Sequence, residues 1–159
     1  FGLQSVHLQV FDYLSRCNKY SDTPAALANY LGMTRGTVSQ TLLLLEKKGF
    51  VKKTSDTNDR RVVHLSLLSK GKAMLEQAKP NDLFNQASGL LSNVTTESYN
   101  EAFTSVLTAL QKANKSNTFG TCRTCQHFTY LPDGYLCGLT KENLTEEDSG
   151  KICQEHAVN

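Results

Sequence analysis

Four of the five cysteines lie close together near the end of the chain, in the stretch from Phe119 to His156. A Cys-x-x-Cys pair is followed by a third cysteine after eleven residues and a fourth after fifteen more: Cys122, Cys125, Cys137 and Cys153. Clustered thiols serve disulfide bonds, metal binding or catalysis. The sequence shows no secretion signal, so we expect a reducing cytoplasm, where paired cysteines more often bind metal than form disulfides.

The spacing of these thiols is typical of one tetrahedral zinc ion. A two-residue gap lets both thiolates of a turn face the ion, and the longer loops bring in two further ligands. A redox Cys-x-x-Cys normally follows a strand of a βαβ unit, which is absent here, and nothing supports a cysteine nucleophile. We therefore expect that the chain is not an enzyme. Residues 119–156 have too little apolar area to fold alone, so a bound metal would stabilise them.

Two alternatives to a four-cysteine zinc site stay open. His127 and His156 each follow a cysteine closely, so one imidazole could replace a thiolate, although we favour a supporting or surface position for both. The order CRTCQHF, CGL and a final cysteine also resembles the ligand order of high-potential iron–sulfur proteins. Nearby aromatic residues could shield such a cluster. We weigh zinc above the iron–sulfur cluster.

Charge is spread unevenly along this chain of 159 residues, whose formal net charge is +2. Residues 34–72 carry nine basic and three acidic side chains, whereas the tail from Asn114 carries four basic and six acidic ones. A basic segment in a nearly neutral protein favours contact between one element and a polyanion. No apolar run approaches the roughly 18 residues that span a bilayer, so we expect no membrane partner.

The basic segment belongs to a predicted helix-turn-helix. Apolar residues at helical spacing predict a first helix from about Leu3 to near Cys17, a thiol that we expect to be buried and structural. Thr23, followed by a proline, begins a second helix that ends at Gly32. Thr34 caps a third helix, whose leucines form an apolar face.

Two short segments with alternating polarity follow the third helix. Residues 50–54 and 62–67 are predicted to be strands, and the turn-rich tip between them carries two arginines. A helix-turn-helix followed by such a hairpin is a winged helix.

Further helices are predicted between the wing and the cysteine segment. One begins at Ser69 and is kinked near Pro80. Another runs from residue 95 to about residue 113. Their apolar faces are too large to pack only on a small winged helix, so residues 69–113 are predicted to form a homodimer interface.

The run from LANYLGMTRGTVSQ through LEKKGFV and DTNDRR to LSLLSKGKAML resembles the core of the MarR family of bacterial transcription regulators. The likeness covers residues 1–113. It implies a mainly α fold with a small β-hairpin wing, to which residues 119–156 add a small metal-bound segment. It also implies a homodimer that regulates transcription, with a possible small-molecule effector. The cysteine site is then expected to be structural; the alternative is a metal- or redox-sensing site, such as an iron–sulfur cluster, that controls DNA binding. Two features depart from the family: the N-terminal dimer helix is absent or truncated, and LSLLSKG replaces a segment that usually has a threonine.

The DNA contacts are predicted to lie in two places. The first turns of the third helix would enter the major groove. Arginine and glutamine can each bind a base at two atoms there, while Thr and Val methyl groups can meet thymine. The predicted contacts in this helix are Thr34, Arg35, Thr37, Val38 and Gln40.

At the wing, Arg60 and Arg61 can reach a narrow minor groove, where negative potential is concentrated. The resemblance implies that Asp59 orients Arg61. Two-fold symmetry predicts a pseudopalindromic double-stranded operator with half-sites about one helical turn apart.

Overall fold

The computed structural model describes residues 3–78, 101–103, 105–106, 109 and 118–157. Three helices come first: α1 (Ser5–Arg16), α2 (Pro24–Leu31) and α3 (Arg35–Lys47). In the part of the chain that is described, no helix has the length and apolarity needed to cross a bilayer.

Local hydrogen bonds set the ends of α2 and α3. Thr23 Oγ1 accepts from the N–H of Ala26 at 3.2 Å, and Thr34 Oγ1 accepts from the N–H of Thr37 at 3.2 Å. Gly32 ends α2 with φ of 63°, a left-handed conformation that favours glycine. These caps confirm the predicted boundaries of the helix-turn-helix.

The wing is an antiparallel hairpin of β1 (Val51–Ser55) and β2 (Val63–Leu67), followed by α4 (Ser69–Ala78). Both strands lie within one residue of their predicted positions. Gly71 in α4 allows close packing, because a Cβ there would lie 2.8 Å from the carbonyl oxygen of Phe50. The winged helix predicted from the sequence is therefore confirmed.

The cysteine segment forms two small sheets. Strands β3 (Thr118–Thr121) and β7 (Ile152–His156) pair antiparallel. A three-stranded sheet has the order β4-β5-β6, and a short helix, α5, precedes β7. The bounds are Phe128–Leu131 for β4, Gly134–Cys137 for β5, Glu142–Leu144 for β6 and Glu146–Ser149 for α5.

The cysteine segment packs directly against the winged helix. Ile152 of β7 belongs to the same buried cluster as Val10 and Tyr13 of α1. The ring of Phe119 lies 5.2 Å from that of Tyr30, centroid to centroid, in an edge-on contact. The core of the winged helix therefore extends beyond residues 1–113, because β7 contributes an apolar side chain to it.

Most of the predicted dimer segment falls outside the described residues, including the kink near Pro80. Residues 101–103, 105–106 and 109 are helical. Phe103 and Val106 are 72% and 58% exposed, which is unusual for large apolar side chains.

Candidate functional site

The first turns of α3 present a polar face to solvent. Arg35, Thr37 and Gln40 are exposed, as is the capping residue Thr34. The hydroxyl of Thr34 lies 2.8 Å from that of Thr37, so the two threonines hold each other in place. A guanidinium and a carboxamide are thus available on a rigid helix, which is the arrangement that base recognition requires.

Val38 does not share this exposed face. Its side chain is only 2% exposed and belongs to the core with Leu42 and Leu45. Because a buried methyl group cannot reach a thymine, the prediction that Val38 contacts DNA is wrong. Positions i, i+4 and i+7 of one helix lie on the same side, and here that side faces the interior.

The wing tip is organised around an aspartate and an arginine. Arg61 donates from Nε and Nη2 to the carboxylate of Asp59, with Nη2 2.8 Å from Oδ2. These hydrogen bonds lower the pKa of the Asp59 carboxyl. Arg61 is otherwise open to solvent, with its side chain 91% exposed, and the neighbouring Arg60 is also exposed. The guanidinium is therefore oriented but accessible.

A groove of about 580 Å³ runs between the start of α2, α3 and the wing. Arg35 and Ser39 of α3 line it together with Lys53 and Arg61 of the hairpin. Lys53 also pairs with Glu46 at 3.3 Å and is only 29% exposed, so it is less accessible than Arg61. The groove brings one predicted major-groove residue and one predicted wing residue to a single surface.

The base of the wing holds a histidine between two carboxylates, which sequence reasoning missed. His64 Nδ1 lies 2.6 Å from Asp22 Oδ1, and His64 Nε2 lies 3.2 Å from Asp56 Oδ2. The hydrogen bond with Asp22, and secondarily that with Asp56, raises the pKa of the imidazole. Asp56 also accepts from the N–H groups of Asn58 and Asp59, which closes the wing loop. No local pattern could predict this bridge, because Asp22 and His64 are 42 residues apart.

The four clustered cysteines line one cavity of about 190 Å³. Cys122 and Cys125 are joined by a tight turn in which the N–H of Cys125 donates to the carbonyl of Cys122 at 3.0 Å. Cys137 ends β5 and Cys153 lies in β7. The turn and the strands therefore bring together the thiols that the sequence predicts to act together. All five cysteines of the chain are free thiols, so the structure contains no disulfide.

The thiols of this cavity influence one another electrostatically. Burial, and then the proximity of Cys153, Cys137 and Cys125, raises the pKa of the Cys122 thiol to about 11. At Cys137 burial acts the same way, but the nearby polar groups of Thr140 and Leu139 outweigh it and lower the pKa of this thiol. A cation among the four sulfurs would reverse the repulsion between thiolates and favour their deprotonation.

Among the described residues, no group of three or more histidine, cysteine or acidic side chains is already close enough to hold an ion. The four cysteines nevertheless line the same cavity. His127 also lines it, whereas His156 is buried with Nε2 2.9 Å from Thr124 Oγ1. Of the two predicted alternative ligands, only His127 therefore borders the cavity. The donor set fits a thiolate-bound metal centre.

The fifth cysteine, Cys17, is partly buried at the end of α1. Its backbone pairs with that of Ile152 in an isolated β-bridge. Burial raises the pKa of its thiol to about 12. A thiol that stays protonated at neutral pH reacts slowly with oxidants, which agrees with the structural role predicted for it.

Known proteins resemble the winged helix. Residues 1–62 match the model of the MarR family. The transcriptional repressor YetL of Bacillus subtilis is 29% identical over 96 residues, which are 60% of this chain and 57% of YetL. The uncharacterised regulator YwaE of the same organism is 39% identical over 54 residues, 34% of this chain and 32% of YwaE. The matches thus span about half or less of these relatives.

A crystal structure of S. aureus MepR in a DNA-binding conformation has the same fold. It superimposes with a TM-score of 0.58 and 24% identity, and the match covers 72% of this chain and 82% of MepR. Residues 1–62 are therefore similar to the MarR family, and the winged-helix fold is shared with MepR.

Proposed function

We propose that this MarR-type winged helix makes the chain a homodimeric transcription regulator that binds a specific double-stranded DNA operator in the cytoplasm. The observation that carries the proposal is the groove that Arg35 and Arg61 line between α3 and the wing. Its exposed cations suit the phosphate backbone, and the polar face of α3 suits base edges. The likeness to the repressor YetL supports the same function.

The proposal of a homodimer rests on apolar exposure. Phe103 and Val106 lie three residues apart in a helical segment, so they share one side, and both are largely exposed. A second copy of the chain would cover such a face and place two recognition helices about one turn of DNA apart. We therefore propose a pseudopalindromic operator.

Selection from a random duplex library tests this proposal without knowledge of the operator. The wild-type chain should enrich sequences with two inverted half-sites about one helical turn apart. The variant with both Arg35→Ala and Arg61→Ala should enrich none. Failure of the wild-type chain to enrich any sequence at low salt would contradict the proposed function.

We further propose that Cys122, Cys125, Cys137 and Cys153 bind one zinc ion. Two features support this: the thiols border one cavity, and two of them share a tight turn. When bound, zinc would supply a structural cross-link between the turn and strands β5 and β7. The zinc ion would thereby hold β7 in place, and with it the side chain of Ile152 in the core.

One observation favours the alternative of an iron–sulfur cluster in the same place. The cavity of about 190 Å³ is larger than a single ion needs, and its walls include Phe128, Leu139 and Leu144. Four cysteines and an apolar surround are also the usual setting of a four-iron cluster. Metal analysis and the absorption spectrum of anaerobically purified protein distinguish the two. A colourless protein with one zinc ion per chain would support the first proposal. A brown protein with four iron atoms per chain would support the alternative. A protein that contains neither zinc nor iron would contradict both proposals.

A second cavity offers a place for the predicted small-molecule effector. It measures about 490 Å³ and lies among α1, α2 and α4, where Leu8, Tyr30 and Leu75 provide apolar walls. Gln9 and Asp12 add polar groups at its edge. An apolar cavity with a few polar groups is typical of sites for small organic molecules.

A further inference from the structure

The turn of residues 18–22, between α1 and α2, is bound to strand β7 of the cysteine segment. Gln154 donates from its backbone N–H to Ser21 Oγ at 2.8 Å. Its side-chain amide donates to the carbonyl of Tyr20, also at 2.8 Å. A third hydrogen bond, of 2.9 Å, joins a backbone N–H of the turn to the carbonyl of Ile152. The position of this turn therefore depends on β7.

The same turn is joined to the wing at its other end. The carbonyl of Asp22 accepts a hydrogen bond of 2.7 Å from the N–H of Leu65 in β2. The carboxylate of Asp22 lies 2.6 Å from His64, whose second nitrogen lies 3.2 Å from Asp56 in the wing loop. Movement of the turn would therefore remove partners from two neighbouring residues of β2. It would also disturb the loop that presents Arg61.

We infer that the cysteine centre is an effector site, at which bound metal stabilises the DNA-binding pose of the wing through β7 and the turn of residues 18–22. This inference rests on the proposed DNA and metal binding. Cys153 lies between Ile152 and Gln154, the two β7 residues that hold the turn. A structural metal supplies much of the folding free energy of a small cysteine segment. Removing it would free β7 and release three hydrogen bonds to the turn.

The coupling has a definite sign and must be reciprocal. Metal should tighten DNA binding, and DNA should tighten metal binding by the same factor. Coupling between two sites usually changes affinity about 5- to 150-fold. We expect about tenfold here, because the turn loses several hydrogen bonds while the wing keeps its own pairing.

The experiment compares the zinc-loaded chain with the chelator-treated chain in titrations of the selected operator. Sedimentation of both forms shows whether the dimer persists. The inference expects a metal-free dimer that binds operator about tenfold more weakly, and full recovery when Zn²⁺ is added back. Zinc titrations with and without operator should give the same factor.

A pair of variants isolates the proposed connection. Gln154→Ala removes a side-chain bond to the turn, whereas Gln126→Ala removes an exposed glutamine that also neighbours a cysteine of the centre. At saturating zinc, Gln154→Ala should bind operator several-fold more weakly than Gln126→Ala, with equal zinc content. This comparison needs no metal-free protein, so it holds even if chelation unfolds the chain.

The outcomes separate this inference from the proposals beneath it. Equal operator affinity of the two variants, or of the two metal states, overturns the coupling while DNA and zinc binding stand. Weaker binding that disappears at high protein concentration also overturns it, because the metal then acts only on dimerisation. A chain that binds no DNA in either state, or no zinc, contradicts the proposed function itself.

Discussion

Substitution of Arg61 by alanine should change both the affinity for DNA and its dependence on salt. The side chain is 91% exposed, and its pairing with Asp59 fixes its direction at the wing tip. An exposed pair of this kind contributes little to stability, so Arg61→Ala should stay folded. Loss of one phosphate-type contact in each half of a dimer makes the negative slope of log K against log salt less steep by about 1.8. Over a fourfold rise in salt, from about 50 to 200 mM, the ratio of wild-type to Arg61→Ala affinity for DNA should therefore fall about twelvefold.

Fluorescence anisotropy of a labelled operator at several salt concentrations measures this slope. Arg61→Lys keeps the charge but loses the two-pronged geometry, so its slope should match that of the wild type. Arg16→Ala is the matched control, because Arg16 is also an exposed arginine paired with an aspartate, but it lies at the end of α1. An unchanged slope for Arg61→Ala would refute the reasoning, since the wing would then not contact DNA.

Four further predictions concern individual residues. Arg35→Ala should flatten the ranking of half-site variants, since a two-atom base contact contributes about 1–3 kcal/mol of discrimination; an unchanged ranking removes Arg35 from base recognition. Val38→Ala should lower the free energy of unfolding in urea by about 2 kcal/mol, because two buried methyl groups are lost, yet leave that ranking intact. The pKa of His64 is raised in the folded chain, so the charged imidazole should stabilise the fold fully below the unfolded pKa of about 6.5. This contribution should be lost as the pH rises through the folded pKa. The free energies of unfolding in urea of the wild type and of His64→Gln should therefore differ more at low pH than at high pH. Cys122→Ser with Cys125→Ser should abolish zinc binding and also lower the stability of the winged helix, because Ile152 is part of its core; an unfolding midpoint equal to that of the wild type would contradict this.

Features that depend on neighbours in the chain could be predicted from the sequence. Thr23 and Thr34 cap the N-termini of helices through contacts three residues away, and Gly32 takes the conformation that its lack of a Cβ permits. The hairpin wing follows equally from alternating polarity around a turn-rich tip. The pairing of Asp59 with Arg61, two residues further along the chain, could be anticipated from the resemblance to the family.

Features that depend on distant residues could not be predicted in this way. The docking of Ile152 joins the end of the chain to its first helix, and nothing near Ile152 indicates this partner. The bridge from Asp22 to His64 has the same character. Val38 shows a different difficulty, because its helical spacing from Leu42 and Leu45 favoured the core while its position in α3 favoured DNA. Burial decides between the two.

A crystal structure of the chain on its selected operator would test the central claim most directly. The account predicts two copies related by a two-fold axis, with Arg35 of each at base edges in the major groove and Arg61 in the adjacent minor groove. DNA bound to another face, with both arginines in solvent, would contradict it.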